Sequence, residues 1–140
     1  MMGKLSFPLT LSQQDIYFDQ LHYPGNPLYN VGGYIDIRDL DEQRLQDAHQ
    51  LLVNQHQAFG IRIVQSKELG AEQYISDVRS TALPLLDFSL HSDSEKQARD
   101  WLQQLFQTPI EFIDAELYRA YLLKLSPHRY WYVGFAHHLC

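Results

Sequence analysis

The sequence has almost no cysteine and no long apolar run. Its 140 residues contain a single cysteine, so no disulfide can form within the chain. A lone thiol favours a reducing cytoplasm over a secreted, disulfide-bonded scaffold. Every apolar run is shorter than the ~20 residues of a membrane-spanning helix. Met1–Phe7 is not followed by the apolar segment of a secretory signal, so we expect no such signal.

Basic residues are also scarce. The chain has 17 Asp and Glu against 11 Lys and Arg, which gives a net charge of −6. This balance argues against nucleic acid and against an anionic membrane surface as partners, because both select basic proteins. Apolar residues make up 45 % of the chain and charged residues 20 %, which is typical of one folded domain.

Strands and helices alternate along the chain. Apolar spacing predicts helices over 12–21, from Asp39 or Asp41 to about His56, and from Ser92 or Ser94 to Pro109. The face of the second helix is predicted from Leu45, Ala48, Leu51, Leu52 and Gln55. Strands are predicted at 34–37, 61–64, 73–75, 116–125 and 130–137, and 83–88 as an apolar connection. This order predicts an α/β sandwich, in which helices cover a sheet.

Two adjacent histidines near the end of the chain are the main candidates for chemistry. Successive strand residues face opposite sides of a sheet, so His137 and His138 diverge. The His137 side is bulky, with Trp131, Val133 and Phe135. The His138 side has Gly134 and Ala136, which leave room for a channel. The pattern therefore favours His138 as the working residue, since an imidazole can accept a proton near physiological pH. Two histidines satisfied by backbone partners are the alternative.

Other kinds of site have little support. Divergent histidines do not share one metal ion, and no Cys/His cluster has zinc spacing. Cys140 has no activating neighbour in the sequence and fits a small buried apolar residue. Gly-x-Ser-x-Gly elbows, phosphate-binding glycine loops and dinucleotide fingerprints are absent from the sequence. The chain stops just after its most apolar strand, so we expect it to be a piece of a longer protein.

Several segments together resemble the N-terminal half of the condensation domain of nonribosomal peptide synthetases. They are Pro8–Phe18, Pro24–Asn30, Val53–Ile63, Leu117–Leu125 and Tyr130–Cys140. The first is similar to the family's opening Pro-Leu-Ser/Thr and Ser-x-x-Gln motif, with glutamine at Gln13 and Gln14. The third aligns with Arg-His-Glu-x-Leu-Arg-Thr-x-Phe: His56 matches, but the usual residues are replaced at Gln55, Gln57, Phe59, Gly60, Ile61 and Ile63.

The last two segments carry the histidines and an arginine. Leu117–Leu125 is similar to Pro-Leu-x-Arg-Ala-x-Leu-x-x-Leu, with Arg119 at the arginine. Tyr130–Cys140 is similar to the strand that leads into His-His-x-x-x-Asp-Gly, whose Asp and Gly would follow Cys140. The resemblance implies that residues 1–140 are the first lobe of a chloramphenicol acetyltransferase-like fold, with helices packed on a mixed sheet. It also implies that His138 is catalytic and that His137 and Arg119 support the site.

The implied reaction is amide formation between an acyl or peptidyl thioester and an aminoacyl thioester. Both substrates would be carried on phosphopantetheine arms of carrier proteins, and the lobe itself would bind no cofactor. The expected partners are those carriers, the second lobe and adjacent synthetase domains. The lobe alone is expected to be inactive and to self-associate through its exposed apolar surface. The alternatives are another acyltransferase or an epimerase of the same superfamily, or a non-catalytic module that docks carrier proteins.

Overall fold

A computed structural model describes residues 5–140 of the protein. Part of the signal-peptide prediction for Met1–Phe7 therefore lies outside the described residues. The helices are α1 (Leu11–His22), α2 (Glu42–Gln55) and α3 (Ser94–Gln107), and a 3-10 turn covers Gln57–Gly60. The strands are β1 (Ser6–Pro8), β2 (Asn30–Arg38), β3 (Ile61–Ser66), β4 (Gly70–Ile75), β5 (Leu85–Asp87), β6 (Tyr118–Ser126) and β7 (Arg129–His137).

Two sheets form the framework. The larger has the order β2-β7-β6-β5, and the smaller has the order β1-β4-β3. Strand β5 runs parallel to β6, whereas β2, β6 and β7 pair antiparallel, so the larger sheet is mixed. All pairs in the smaller sheet are antiparallel. The predicted α/β lobe with helices on a mixed sheet is confirmed.

Helices cover both faces of the larger sheet. Helix α3 places Ala98, Leu102 and Leu105 on one side, at the spacing of an amphipathic helix. These residues pack against alternate residues of β7, namely Trp131, Val133 and Phe135, and against Leu123 and Leu125 of β6. Leu45, from α2, belongs to a smaller cluster on the opposite face, around Leu122 and Tyr130. The predicted core face of β7 is therefore correct for these three residues.

Three local predictions need correction. The sequence favours Ser12 as the N-cap of α1, but the N-cap is Thr10, whose hydroxyl accepts from the Gln13 N–H. The 83–88 segment is not only a connection, since Leu85–Asp87 pairs with β6. The predicted face of α2 is wrong at four of its five residues, because Ala48, Leu51, Leu52 and Gln55 are exposed, whereas the buried residues are His49 and Val53. His49 follows Leu45 by four residues and so occupies the helix stripe that faces the sheet.

Two neighbouring glycines of β2 have opposite surroundings. A methyl group on Gly32 would lie 2.6 Å from the Gly134 carbonyl oxygen and 2.8 Å from the Phe106 ring. A methyl group on Gly33 would meet no atom within 4 Å. Helix α3 can therefore approach the sheet closely only where β2 lacks a side chain.

We expect Gly32→Ala to lower the free energy of unfolding by about 1–3 kcal/mol, because backbone must move to admit the methyl group. Gly33→Ala is the matched control. It should be neutral or stabilise the protein by about 0.4–1 kcal/mol, by restricting the unfolded chain. Urea denaturation of the two variants measures both values. Equal stabilities would contradict the close approach of α3 at Gly32.

Candidate functional site

His137 is the last residue of β7 and lies in the core. Its side chain is 1 % exposed. Its Nδ1 accepts from the Leu139 N–H at 3.1 Å, and its Nε2 lies 3.0 Å from Gln20 Oε1. These partners fix the tautomer with the proton on Nε2, which donates to Gln20. Burial, with a further contribution from His138, lowers the pKa of His137 to about 4, so the ring is neutral at pH 7.

Gln20 links this ring to the loop after α1. Its Nε2 donates to the carbonyl oxygens of Tyr23 and Asn26, at 2.9 and 3.1 Å. The His137 ring also lies beside the rings of Tyr29 and Phe112, with centroids 6.1 and 5.5 Å away. Through Gln20, the His137 imidazole therefore connects β7 by hydrogen bonds to the loop that follows α1.

The backbone on both sides of His138 is held from several directions. The His138 N–H donates to the Tyr29 carbonyl at 3.0 Å, and the His137 N–H donates to the Leu117 carbonyl at 2.7 Å. Gln13 Nε2 donates to the Leu139 carbonyl at 2.9 Å, across 126 positions of sequence. Gln13 and Gln73 also exchange two side-chain hydrogen bonds. Gln13, from the opening motif, therefore holds the backbone of the residue that follows the histidine pair.

The His138 side chain is exposed, in contrast to that of His137. Strand β7 ends at His137, and His138 is the first residue of a turn. The strand alternation that favours His138 in the sequence therefore reaches His137 and not His138. An accessible imidazole on a fixed backbone can accept a proton from a bound amine or donate to a developing charge. The catalytic role of His138 stays a prediction.

An apolar groove lies on the sheet face that carries Gly134 and Ala136. The register places Gly33, Gly134 and Ala120 side by side on three adjacent strands. This row of small residues leaves a cavity of about 560 Å³, and Leu52 and Phe59 also line it. The alternation of β7 alone predicts room on this face, at Gly134 and Ala136. The glycine of β2 and the alanine of β6 complete the row only through strand pairing.

Arg119 and Cys140 lie near the histidines but differ in their contacts. Arg119 is opposite Phe135 in the sheet and is exposed. Among residues 5–140, no hydrogen bond or ion pair reaches its side chain, and its supporting role stays a prediction. Cys140 is exposed, so the prediction of a small buried residue is wrong. Its thiol donates to the His137 carbonyl at 3.2 Å, and desolvation raises its pKa. A raised pKa disfavours the thiolate that a nucleophile needs.

Gly60 is one of the residues that differ from the family motif, and the side chain of Arg79 lies beside it. A methyl group on Gly60 would lie 2.7 Å from Arg79 Nε, so the Arg79 guanidinium occupies the adjoining space. Arg79 donates to the carbonyl oxygens of Val53, His56 and Ser76 at 2.9, 3.1 and 2.9 Å. It therefore caps the C-terminal end of α2, where carbonyls lack helical partners. The only matching polar residue of the motif, His56, is exposed at that end.

Sequence reasoning missed two contributors to this region, Gln20 and His49, whereas Tyr29 lies in the Pro24–Asn30 segment that resembles the family. Gln20 reaches His137 only through folding, so its position in the chain carried no signal. His49 did carry a signal, because it is a polar residue within the apolar stripe of an amphipathic helix.

Within residues 5–140, no group of three or more His, Cys, Asp or Glu side chains could hold a metal ion. No helix in this range has the length and hydropathy to span a membrane.

The chain belongs to the condensation-domain family, whose profile matches residues 5–140. It is 26 % identical over 136 residues to a dimodular nonribosomal peptide synthase of Bacillus subtilis (strain 168), covering 96 % of this chain and 6 % of that protein. It is 21 % identical over 136 residues to surfactin synthase subunit 1 of the same organism, covering 95 % and 4 %. The chain thus spans a small fraction of the curated relatives that it matches.

Solved condensation domains share its fold. The starter condensation domain of rhizomide synthetase is 24 % identical, with a TM-score of 0.87, covering 96 % of this chain and 33 % of that chain. The first condensation domain of the calcium-dependent antibiotic synthetase has the same identity, TM-score and coverage. The family resemblance found in the sequence is confirmed. These structures extend well beyond the length that this chain matches.

Proposed function

We propose that residues 1–140 form the first lobe of a condensation domain that makes an amide bond between two thioester substrates. The observation that carries this is the exposed His138 side chain, on a backbone fixed through Tyr29, Leu117 and Gln13, in a chain of the condensation-domain family. A fixed backbone positions the imidazole, and exposure lets it meet a substrate.

In the proposed reaction, the amine nitrogen of the aminoacyl substrate bonds to the thioester carbonyl carbon of the donor. The carbon–sulfur bond breaks and the donor's thiol is released. His138 takes the proton that the amine loses, or stabilises the charge that develops on it. The proton ends on the departing sulfur, so His138 returns to its starting state.

The substrates would be attached to phosphopantetheine arms of carrier proteins, and the lobe itself would hold no cofactor. The site would be completed by a second lobe and by the Asp and Gly of the histidine motif, beyond Cys140. Carrier proteins and adjacent synthetase domains are the proposed partners, and the cytoplasm is the proposed location. Without the second lobe, we expect residues 1–140 to be inactive and to self-associate.

The function is tested in the complete protein that carries this chain. It is incubated with acyl and aminoacyl thioesters of N-acetylcysteamine, and mass spectrometry follows the products. We expect the amide and one equivalent of released thiol. Deuterium uptake at the amino acid α-carbon, with no amide, would instead indicate an epimerase. Neither product, with carrier-protein binding retained, would favour a docking module.

A further inference from the structure

Two glutamines of α1 contact the residues on either side of His138. Gln20 Oε1 lies 3.0 Å from Nε2 of His137. Gln13 Nε2 lies 2.9 Å from the carbonyl oxygen of Leu139. The two glutamines are seven positions apart in one helix, so they project from the same face of it. One face of α1 therefore holds the chain both before and after the exposed imidazole.

The Gln20 contact reaches His138 through the ring of His137. This ring donates from Nε2 to Gln20 and accepts at Nδ1 from the Leu139 N–H at 3.1 Å. That N–H belongs to the peptide group that joins His138 to Leu139, and the orientation of this planar group sets ψ of His138. Gln20 is 4 % exposed, so the contact is shielded from water. Gln20 therefore orients the His137 ring, and the ring holds the peptide group that follows His138.

The Gln13 side-chain amide is held in one orientation. Its Oε1 accepts from the backbone N–H of Thr10 at 2.9 Å, and this N–H can only donate. The other end of the amide must then be the donor, and it donates to Leu139. Gln73, which is buried, exchanges two further hydrogen bonds with the amide, at 2.9 and 3.0 Å. All these partners together fix where the Leu139 carbonyl lies relative to α1.

The side chain of Leu139 is anchored on the same helix face. Leu139 is 1 % exposed and packs in one apolar cluster with Tyr17, which is 2 % exposed. Tyr17 follows Gln13 by four positions and precedes Gln20 by three, so it lies between the two glutamines on the helix surface. The turn that carries His138 therefore follows the position of α1 through both its backbone and its core side chain.

We propose that Gln13 and Gln20 are positioning residues for amide formation, because they hold the backbone from His137 to Leu139 and so place the imidazole of His138. This inference rests on the proposed function for the role of His138. Both glutamines act through that imidazole and not on a substrate. Their loss should lower kcat and leave KM unchanged, since a displaced imidazole weakens stabilisation of the transition state and leaves substrate binding intact.

Gln13→Glu separates positioning from helix capping. The glutamate keeps an oxygen for the Thr10 N–H and loses the N–H group that donates to Leu139. A carboxylate in the first turn also suits the positive end of the helix dipole, so the helix should be retained. We expect kcat for amide formation in the complete protein to fall about 10–100-fold, with KM within about twofold of the parent. The substrates are acyl and aminoacyl thioesters of N-acetylcysteamine.

The matched control is Gln14→Glu, the same substitution at the next position of α1. It removes a hydrogen bond from the Gln14 side chain to the Leu9 carbonyl and touches neither histidine, so kcat should be unchanged. Gln20→Met is the second test variant. It removes the acceptor of the His137 Nε2–H at nearly the same side-chain length, and kcat should fall by a factor similar to that of Gln13→Glu.

The same substitutions in a His138→Ala background distinguish positioning from folding. If the glutamines act through the imidazole, then Gln13→Glu and Gln20→Met should leave the residual rate of His138→Ala unchanged, because no imidazole remains to be misplaced. A general structural role would instead lower the rate by the same factor in both backgrounds. Thermal melts give the folded fraction of each variant at the assay temperature.

The outcomes for the inference and for the proposed function differ. Equal rate factors in the two backgrounds would overturn the inference, and so would a Gln13→Glu variant as fast as the parent, while amide formation still depends on His138. A rise in KM at constant kcat would also overturn it. Amide formation that is absent, or that does not depend on His138, would contradict the proposed function and the inference with it.

Discussion

Replacing His138 with alanine should lower the rate of amide formation by about 10²–10⁴-fold, the usual contribution of a general acid or base. The His138 side chain is exposed, and the hydrogen bonds that fix this residue come from its backbone. Alanine keeps those bonds, so the variant should melt within about a degree of the parent, as exposed substitutions do. The measurement is the single-turnover rate in the complete protein with both thioesters saturating.

The matched control for this prediction is His128→Ala. His128 is an exposed histidine in the turn between β6 and β7, beside Asp39. It should leave the rate unchanged. A His138→Ala variant as fast as the parent would remove the catalytic assignment and favour the docking module. A slow His138→Ala variant that also melts early would indicate a structural role.

Replacing His137 with leucine should lower the free energy of unfolding by about 2–4 kcal/mol at pH 7. Leucine leaves two buried groups, Gln20 Oε1 and the Leu139 N–H, without their partners. Each such loss costs about 1–3 kcal/mol. Urea denaturation measures the change, and the matched control is His91→Leu at an exposed site before α3. An unchanged midpoint would mean that the two groups find other partners.

The same histidine should make stability depend on pH. Burial lowers its pKa in the folded protein to about 4, so below the unfolded value of about 6.5 the unfolded chain binds a proton that the folded protein does not. The stabilisation is complete above about pH 6.5 and is lost as the pH falls toward 4, by about 3 kcal/mol in total. His137→Leu should flatten this slope without removing it, because burial also lowers the pKa of His49. A parallel slope in both proteins would contradict the assignment.

Sequence reasoning predicted the elements well where the pattern was long and regular. Helix α3 and the β6–β7 hairpin followed from apolar spacing, since burial of one face requires it. It failed at Leu85–Asp87, a three-residue strand that pairs only because β6 is beside it. It also failed on the face of α2, because Leu51 fits the apolar spacing and still faces solvent. Local pattern cannot show which face a neighbouring sheet will cover.

The family, the histidine pair and the bulky core face of β7 can be predicted from the sequence, because these depend on residue type and short spacing. What surrounds them follows from folding. Gln13 reaches Leu139 across 126 positions, and the row Gly33, Gly134 and Ala120 forms only when three strands pair in register. The buried state of His49 likewise depends on the sheet beneath α2. Contacts between distant positions are fixed by strand register and helix packing, which one sequence does not display.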